Sequence, residues 1–190
     1  MDPIIWGPCI WNALFSISFN ITKSDLPQME KLLKCLEKII PCPTCKAHYL
    51  INRQQADKLF PLKKSCENVQ YWLWHVKSLI NKNLKIPNTE FKYIKLRYQI
   101  FGHTICDTEL LDILACMCLH NKKEEEIKRF HEFLFSLGTL LSKFLQGPMP
   151  SLLLCMDNVN PDNLINVVNS VRNNYNMTYR TITYYQPFLN

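Results

Sequence analysis

Residues 41–48 read Pro-Cys-Pro-Thr-Cys-Lys-Ala-His, and this stretch separates two predicted helices. Pro41 stops the preceding helix, while Pro43 suits the first turn of the next one, where its missing N–H and preset φ do no harm. Cys42 is therefore predicted at the exposed N-terminus of that helix and Cys45 one turn inside it, so that the two sulfurs meet on one face. Because a helix N-terminus stabilises a thiolate, the pair predicts a reactive dithiol that closes a disulfide with little rearrangement.

Helices are predicted on both sides of this stretch because apolar residues recur at spacings of three and four. Their bounds are set by proline stops, by cap residues and, after the third helix, by a polar loop from Asn52 to Ser65. The predicted helices run from just after the Trp6-Gly7-Pro8 turn to Thr22, from a cap at Ser24 or Asp25 to Pro41, from Pro43 through Leu50, from Glu67 to Leu84, and from Thr89 to about Ile100. This part of the chain is thus predicted to form four helices plus a short fifth.

Gly102 is the predicted boundary between two modules, residues 1–101 and residues 102–190, since glycine commonly follows the end of a helix. A chain of 190 residues has room for a small domain and a second module of similar size. Beyond the boundary the pattern predicts helices over 107–120 and 124–146, so we expect the second module to be mostly helical. The fold class predicted for the whole chain is all-α.

Composition narrows the class of protein further. Apolar residues make up 47% of the chain and charged residues 20%, which is enough to bury a core and argues against disorder. The net charge of +6 is spread along the chain, so we expect no nucleic-acid surface, although an anionic ligand such as a dinucleotide is favoured.

The sequence contains neither a basic leader running into an apolar segment nor a stretch of about twenty apolar residues. We therefore expect a cytoplasmic protein that is neither exported nor membrane-spanning.

Nine cysteines, an odd count in a chain of this length, favour thiol chemistry or metal binding over a disulfide framework. A thioredoxin-like exchanger would place the cysteine pair after a strand, whereas both flanks here are helical. A zinc site would need two further ligands, for which Cys116, Cys118 and His120 are candidates despite the single residue between the two cysteines. The alternative to a redox pair is thus a structural or zinc-binding module.

Three groups of residues, taken in order, resemble the Erv/ALR family of sulfhydryl oxidases. They are Trp6-Gly7-Pro8 with Trp11, the stretch 41–48, and Trp72 with Asn81 in the downstream helix. The resemblance covers about residues 4 to 100 and is strongest to the oxidases of large cytoplasmic DNA viruses. It implies a small helical bundle that holds FAD, in a protein of the host cytoplasm or the virion.

The resemblance also implies the chemistry and the partners. Thiols of a protein substrate would pass electrons to Cys42 and Cys45, which pass them to FAD and then to molecular oxygen, giving hydrogen peroxide. The inner Cys45 would face the flavin C4a, and the outer Cys42 would exchange with the incoming thiol. A homodimer that pairs through an apolar helix face is implied as well. The alternative function is a flavin-free structural or zinc-binding interaction module on the same scaffold.

The cofactor contacts follow from the same resemblance. Aromatic rings would stack on the heterocycles, Asn and His would donate to their polar edges, and lysines would neutralise the pyrophosphate. The implied cofactor-binding residues are Trp6, Gly7, Trp11, Phe15, His48, Trp72, His75, Lys77, Asn81, Leu84 and Lys85. Phe15 stands where the family commonly has His, and Lys77 with Ser78 replaces a His-Asn pair of its fourth-helix motif. No metal site is predicted.

A second cysteine pair often relays electrons from the substrate in this family. The candidates here are Cys116 with Cys118, or Cys9 with another cysteine. Two cysteines separated by one residue in a helix point about 200° apart, so the first pair would bridge only after the helix unwinds. The remaining cysteines, Cys35, Cys66, Cys106 and Cys155, are expected to be buried apolar residues without a redox role.

Overall fold

The structure is a computed structural model that describes residues 3–100, 110, 113–115, 117–118, 123–145 and 153. Within these residues the chain is helical and contains no strand, which confirms the all-α prediction. The helices are α1 Pro3–Ser18, α2 Leu26–Ile39, α3 Pro43–Leu59, α4 Cys66–Asn83, α5 Phe91–Ile100 and α6 Glu124–Leu141. A short 3-10 helix, Lys23–Asp25, leads into α2. None of the described helices is long and apolar enough to cross a membrane.

Helix α1 differs from its prediction at both ends. It begins at Pro3, so Trp6, Gly7 and Pro8 lie inside the helix and the predicted turn is wrong. A proline so near the start removes only one intrahelical hydrogen bond, and the buried Trp6 ring ties this part of the helix to the core. The helix ends at Ser18 instead of Thr22 because side chains satisfy its last carbonyls: the Ser18 hydroxyl donates to the Phe15 oxygen at 2.8 Å.

The junction between α2 and α3 agrees with the sequence. Asp25 is the N-cap of α2, Cys42 is the N-cap of α3, and Pro43 is the first residue of α3. Helix α3, however, continues to Leu59, so the loop predicted from Asn52 onward is wrong over its first half. Polar residues in this segment cover an exposed helix face, whereas Asn52 and Ala56 are buried on the opposite face.

Helix α4 crosses the bundle between α1 and α3. The Ser65 hydroxyl caps it by accepting from the Asn68 amide at 3.1 Å, and its bounds confirm the prediction to within a residue at each end. Trp72 is fully buried and meets the Tyr49 ring of α3 edge-on, with the ring centroids 6.4 Å apart. On the other side, the Gln70 amide donates to the Ser18 oxygen at 3.1 Å, which joins α4 to the end of α1.

Helix α6 packs along α2 and belongs to the same hydrophobic core as the first five helices. The Cys35 thiol of α2 lies 3.8 Å from a Glu132 carboxylate oxygen, and Lys143 forms a 2.7 Å ion pair with the buried Asp25. Burial alone would raise the pKa of Asp25, but the hydrogen bonds from Lys143 and Thr22 outweigh it and hold the pKa below its usual value. The contact thus anchors the segment after α6 to the N-cap of α2.

The predicted boundary at Gly102 lies outside the described residues, as does most of the predicted helix 107–120. The described residues within that span are helical and buried: Leu110, Ile113, Leu114, Ala115, Met117 and Cys118. Helix α6 confirms the prediction of a helix starting at 124, and it ends at Leu141.

Candidate active site

The two cysteines of residues 41–48 form a disulfide, with Cα atoms 5.1 Å apart. The Cys45 amide donates to the Cys42 sulfur at 3.2 Å, and the Lys46 amide donates to the Cys42 oxygen at 2.9 Å. Cys42 thus holds the N-cap position, where a side chain normally accepts the free amides of the first helical turn. After reduction, the Cys45 amide and the helix dipole would stabilise a thiolate at Cys42.

A cavity of about 330 Å³ lies beside the disulfide, between α1, α3, α4 and the loop that follows α4. Its lining residues are Trp6, Gly7, Pro8, Ile10, Trp11, Leu36, Ile40, Cys45, His48, Tyr49, Lys77, Ile80, Asn81, Asn83, Leu84, Ile86, Pro87 and Thr89. Cys45 is part of this lining and Cys42 is not. The disulfide therefore has one sulfur-bearing residue on the cavity wall and one outside it.

Most of the sequence-predicted site residues converge on this cavity. Those that line it are Trp6, Gly7, Trp11, His48, Lys77, Asn81 and Leu84, together with Cys45. The α4 residues among them follow one another at intervals of three or four, so they share one face of the helix. Ile80 completes that stripe, and the sequence reasoning missed it although its spacing was a usable signal.

Besides Cys42, four predicted cofactor-binding residues lie outside the cavity lining: Phe15, Trp72, His75 and Lys85. Phe15 is buried directly behind the wall, with the Lys77 ammonium 5.5 Å above its ring centroid. Trp72 is turned into the core, where its indole N–H donates to Asp57 at 2.7 Å. His75 precedes Lys77 by two residues, roughly 200° around the helix, and packs edge-on against Phe60 at 5.8 Å.

Lys85 lies in the turn that follows α4. Its φ of 57° is in the left-handed region, where a glycine is usual after a helix C-terminus. The Ile86 amide then donates back to the Asn81 oxygen at 2.9 Å, and the chain leaves the helix along the cavity. The Trp74 indole N–H holds this loop by donating to the Thr89 oxygen at 2.9 Å. Sequence periodicity gave no signal for these loop residues, because they belong to no repeating helix face.

Two polar groups of the cavity wall, the Trp6 indole N–H and the Lys77 ammonium, are donors only. Among the described residues, the buried Trp6 indole N–H has no hydrogen-bond acceptor, and Lys77 forms no ion pair with a carboxylate. Burial lowers the pKa of Lys77, and the nearby positive charge of Arg97 adds to this effect. A buried donor and a desolvated cation are both costly without partners, so the wall favours a ligand that carries acceptors and negative charge.

Gly7 lies on the same wall, inside α1, and is buried. A Cβ added there would come no closer than 4.0 Å to the nearest side-chain atom, Trp11 Cδ1, which is ordinary van der Waals contact. Glycine inside a helix destabilises it by about 0.5 to 1 kcal/mol relative to alanine. The described packing therefore does not require glycine at this position, whereas a ligand that approaches the backbone would.

A disulfide at the N-terminus of a helix thus lies beside a cavity in a helical bundle, an arrangement suited to dithiol–disulfide exchange. Residues 8–99 match the sequence profile of the Erv1/Alr family. The match supports assigning this segment to an Erv/ALR-type sulfhydryl oxidase family, whose members typically bind FAD. Comparisons with curated proteins and with solved structures give no match.

The other cysteines do not form a second site within the described part of the chain. No three potential metal ligands come together there, and Cys116 and His120 lie outside it. Cys118 is fully buried, and burial raises its pKa to about 12, which disfavours the thiolate that zinc binding or exchange requires. Cys9 is also buried, on the side of α1 that faces the hydrophobic core.

Proposed function

We propose that this protein is an FAD-dependent thiol oxidase that forms disulfides in protein substrates, with molecular oxygen as the final electron acceptor. The proposal is carried by the placement of the two disulfide-bonded cysteines: Cys45 lies on the wall of the cavity, and Cys42 lies outside it. Such a pair can exchange with a bulky thiol on one side and deliver electrons to an enclosed acceptor on the other. The match of residues 8–99 to the Erv1/Alr family supports the same activity.

The residues of the cavity fit FAD. The indoles of Trp6 and Trp11 offer stacking surface for flat heterocycles, and the free Trp6 N–H offers a donor to a ring acceptor. Lys77 would pair with negative charge on the cofactor, while Asn81 and His48 would donate to its polar edges. FAD, when bound, supplies a two-electron acceptor next to Cys45 and passes the electrons to oxygen, giving hydrogen peroxide.

The chain's own part in the reaction begins at Cys42. A substrate thiolate attacks the Cys42 sulfur, the Cys42–Cys45 bond breaks, and the electron pair leaves on the Cys45 sulfur. A second substrate thiolate then attacks the substrate sulfur of the mixed disulfide and releases the substrate disulfide, with Cys42 leaving as a thiolate that accepts from the Cys45 amide. Two thiols thereby become one disulfide. Their two protons are released when the thiols ionise, and their two electrons remain in the reduced Cys42 and Cys45 pair.

Absorption spectroscopy of the purified protein tests the proposal directly. We expect a yellow protein with flavin bands, because among the described residues the Trp6 N–H of the cavity wall has no acceptor and Lys77 has no carboxylate partner. A colourless protein that binds zinc stoichiometrically would instead favour the flavin-free module. Viral origin, a location in the host cytoplasm or virion, and a homodimer stay predictions of the resemblance.

Trp11→Ala should weaken FAD retention more than Trp74→Ala. Trp11 lines the cavity. Trp74 does not line it and donates a hydrogen bond from its indole N–H to the Thr89 oxygen. The loss of one stacking partner is worth on the order of 1 kcal/mol, so several-fold less flavin should remain after dialysis of the Trp11 variant. Flavin content is measured by absorbance against protein concentration. Equal retention in both variants would count against placing the cofactor in this cavity.

Gly7→Ala should change stability and cofactor binding in opposite directions. The flavin-free protein should become more stable by about 0.5 to 1 kcal/mol, since alanine favours the helix and the added Cβ meets no close neighbour. FAD affinity should fall, because the methyl group occupies the wall against which the ligand packs. Thermal unfolding of the flavin-free protein and FAD titration give the two readouts. Unchanged FAD affinity would show that the cofactor does not approach Gly7.

A further inference from the structure

A second concave surface, here called the basic groove, lies between α2, α3 and α6 and encloses about 510 Å³. Its lining residues are Lys31, Lys34, Cys35, Glu37, Lys38, Arg53, Arg129 and Glu132. The groove is thus lined by five cationic side chains and two carboxylates. The mechanism of the Cys42/Cys45 pair uses none of these residues.

The basic groove ends next to the outer cysteine. Lys38, at the C-terminal end of α2, is joined to Cys42 through Lys46, whose ammonium donates to the Lys38 oxygen and whose amide donates to the Cys42 oxygen, both at 2.9 Å. From Lys38 the groove runs back along α2 to Lys31, about 10 Å at the rise of an α-helix. A peptide bound along it would therefore present residues close to Cys42.

The charge of the basic groove is only partly neutralised. Arg53 pairs with Glu37, and Arg129 pairs with Glu132 at 2.9 Å, so both lining carboxylates are engaged by the two arginines. The lysines remain on the surface. Lys34 and Lys38, each with a side chain that is 55% exposed, form surface ion pairs with Glu30 at 2.8 Å and with Glu37 at 3.4 Å. Lys31 forms no ion pair with the described residues. Exposed ammonium groups can meet a carboxylate without first being desolvated, and they attract it over about 10 Å at moderate salt.

We propose that the basic groove docks acidic residues flanking the thiol of a protein substrate and so steers that thiol to Cys42. This inference rests on the proposed function, since it takes Cys42 as the residue that exchanges with the substrate. Steering of this kind raises the rate of encounter more than the final affinity, and salt weakens it. The substrate class is therefore a protein thiol in an acidic sequence context.

The test measures the first exchange step, formation of a mixed disulfide between the substrate thiol and Cys42, in the absence of oxygen. This step precedes any electron transfer to a flavin, so its rate can be measured whether or not a flavin is bound. Two peptides with one cysteine each are compared, one flanked by glutamates and the other by lysines, and dithiothreitol serves as an uncharged reductant. The reaction is quenched by alkylation and followed by mass spectrometry. At low salt we expect the acidic peptide to react roughly tenfold faster than the basic one, with the difference closing at high salt.

The double variant Lys31→Glu with Lys34→Glu reverses the charge of the groove and should remove the preference for the acidic peptide. Its matched control, Lys58→Glu with Lys64→Glu, makes the same change of net charge at exposed residues outside the groove and should keep that preference. Dithiothreitol should react equally with all three proteins. Equal rates for the two peptides in the unmodified protein, or a preference that survives in the groove variant, would overturn the proposal. A protein that shows the preference but never binds flavin would defeat the oxidase function and leave the docking intact.

Discussion

Cys45→Ser is expected to stop oxygen consumption with dithiothreitol while FAD stays bound. Cys45 is the residue of the pair that lines the cavity, so without its sulfur the electrons of the substrate have no route to the cofactor. The rate should fall by roughly a thousandfold or more, as is usual when a nucleophile is removed. Flavin content should be nearly unchanged, because all the other residues that line the cavity lie outside the dithiol.

Cys42→Ser should be inactive too, but with a different spectrum. Its Cys45 thiolate would stay next to oxidised flavin and should produce a long-wavelength charge-transfer band that Cys45→Ser lacks. Cys66→Ser is the matched control, since Cys66 lies at the start of α4 outside the cavity, and its activity should stay at the level of the unmodified protein. Undiminished turnover in Cys45→Ser refutes the site, and a band seen only in that variant means that the inner and outer roles are exchanged.

Phe133→Ala is expected to destabilise the whole described bundle. Phe133 is fully buried on α6, the helix that packs along α2, and its loss would leave a large cavity in the shared core. The free energy of unfolding should fall by about 3 to 5 kcal/mol. Phe135→Ala, on the same helix but with a residue that is 52% exposed, is the control and should change stability by about 0.5 kcal/mol or less.

Chemical unfolding followed by circular dichroism and by tryptophan fluorescence distinguishes one folding unit from two. All four tryptophans precede Gly102, so their fluorescence reports on the first five helices. If Phe133→Ala shifts the fluorescence transition together with the helical signal, α6 and the first five helices unfold as one. A fluorescence transition that does not move would show that residues after Gly102 fold by themselves. On the present packing, a chain ending at Ile100 would leave the α6-facing side of α2 exposed.

Local sequence was sufficient where the determining interaction is local. Pro41 and Pro43 bracket the redox pair, and their ring geometry alone places Cys42 at the cap and Cys45 one turn inside α3. The spacing of Lys77, Asn81 and Leu84 likewise gives one helix face, which the structure places on the cavity.

Local sequence failed where packing outweighs propensity. The Trp6-Gly7-Pro8 segment looks like a turn because glycine and proline both disfavour helix interiors, yet burial of the tryptophan keeps it inside α1. The polar residues after Leu50 look like a loop, but Asn52 and Ala56 are buried on the inner face of α3. Neither outcome can be derived without knowing what packs against the segment.

The all-α class, the position of the cysteine pair at a helix N-terminus and eight of the eighteen residues that line the cavity were predictable from sequence. Proline stops, caps and helical periodicity act over one or two turns, and the family resemblance supplied the remaining positions. Packing between helices places Cys45 on the cavity wall, turns Trp72 and His75 away from the cavity, and brings α6 against α2. These features depend on contacts between residues far apart in the chain, such as Cys35 with Glu132 and Asp25 with Lys143. Burial and charge pairing at such contacts arise only when the helices meet, so no local pattern encodes them.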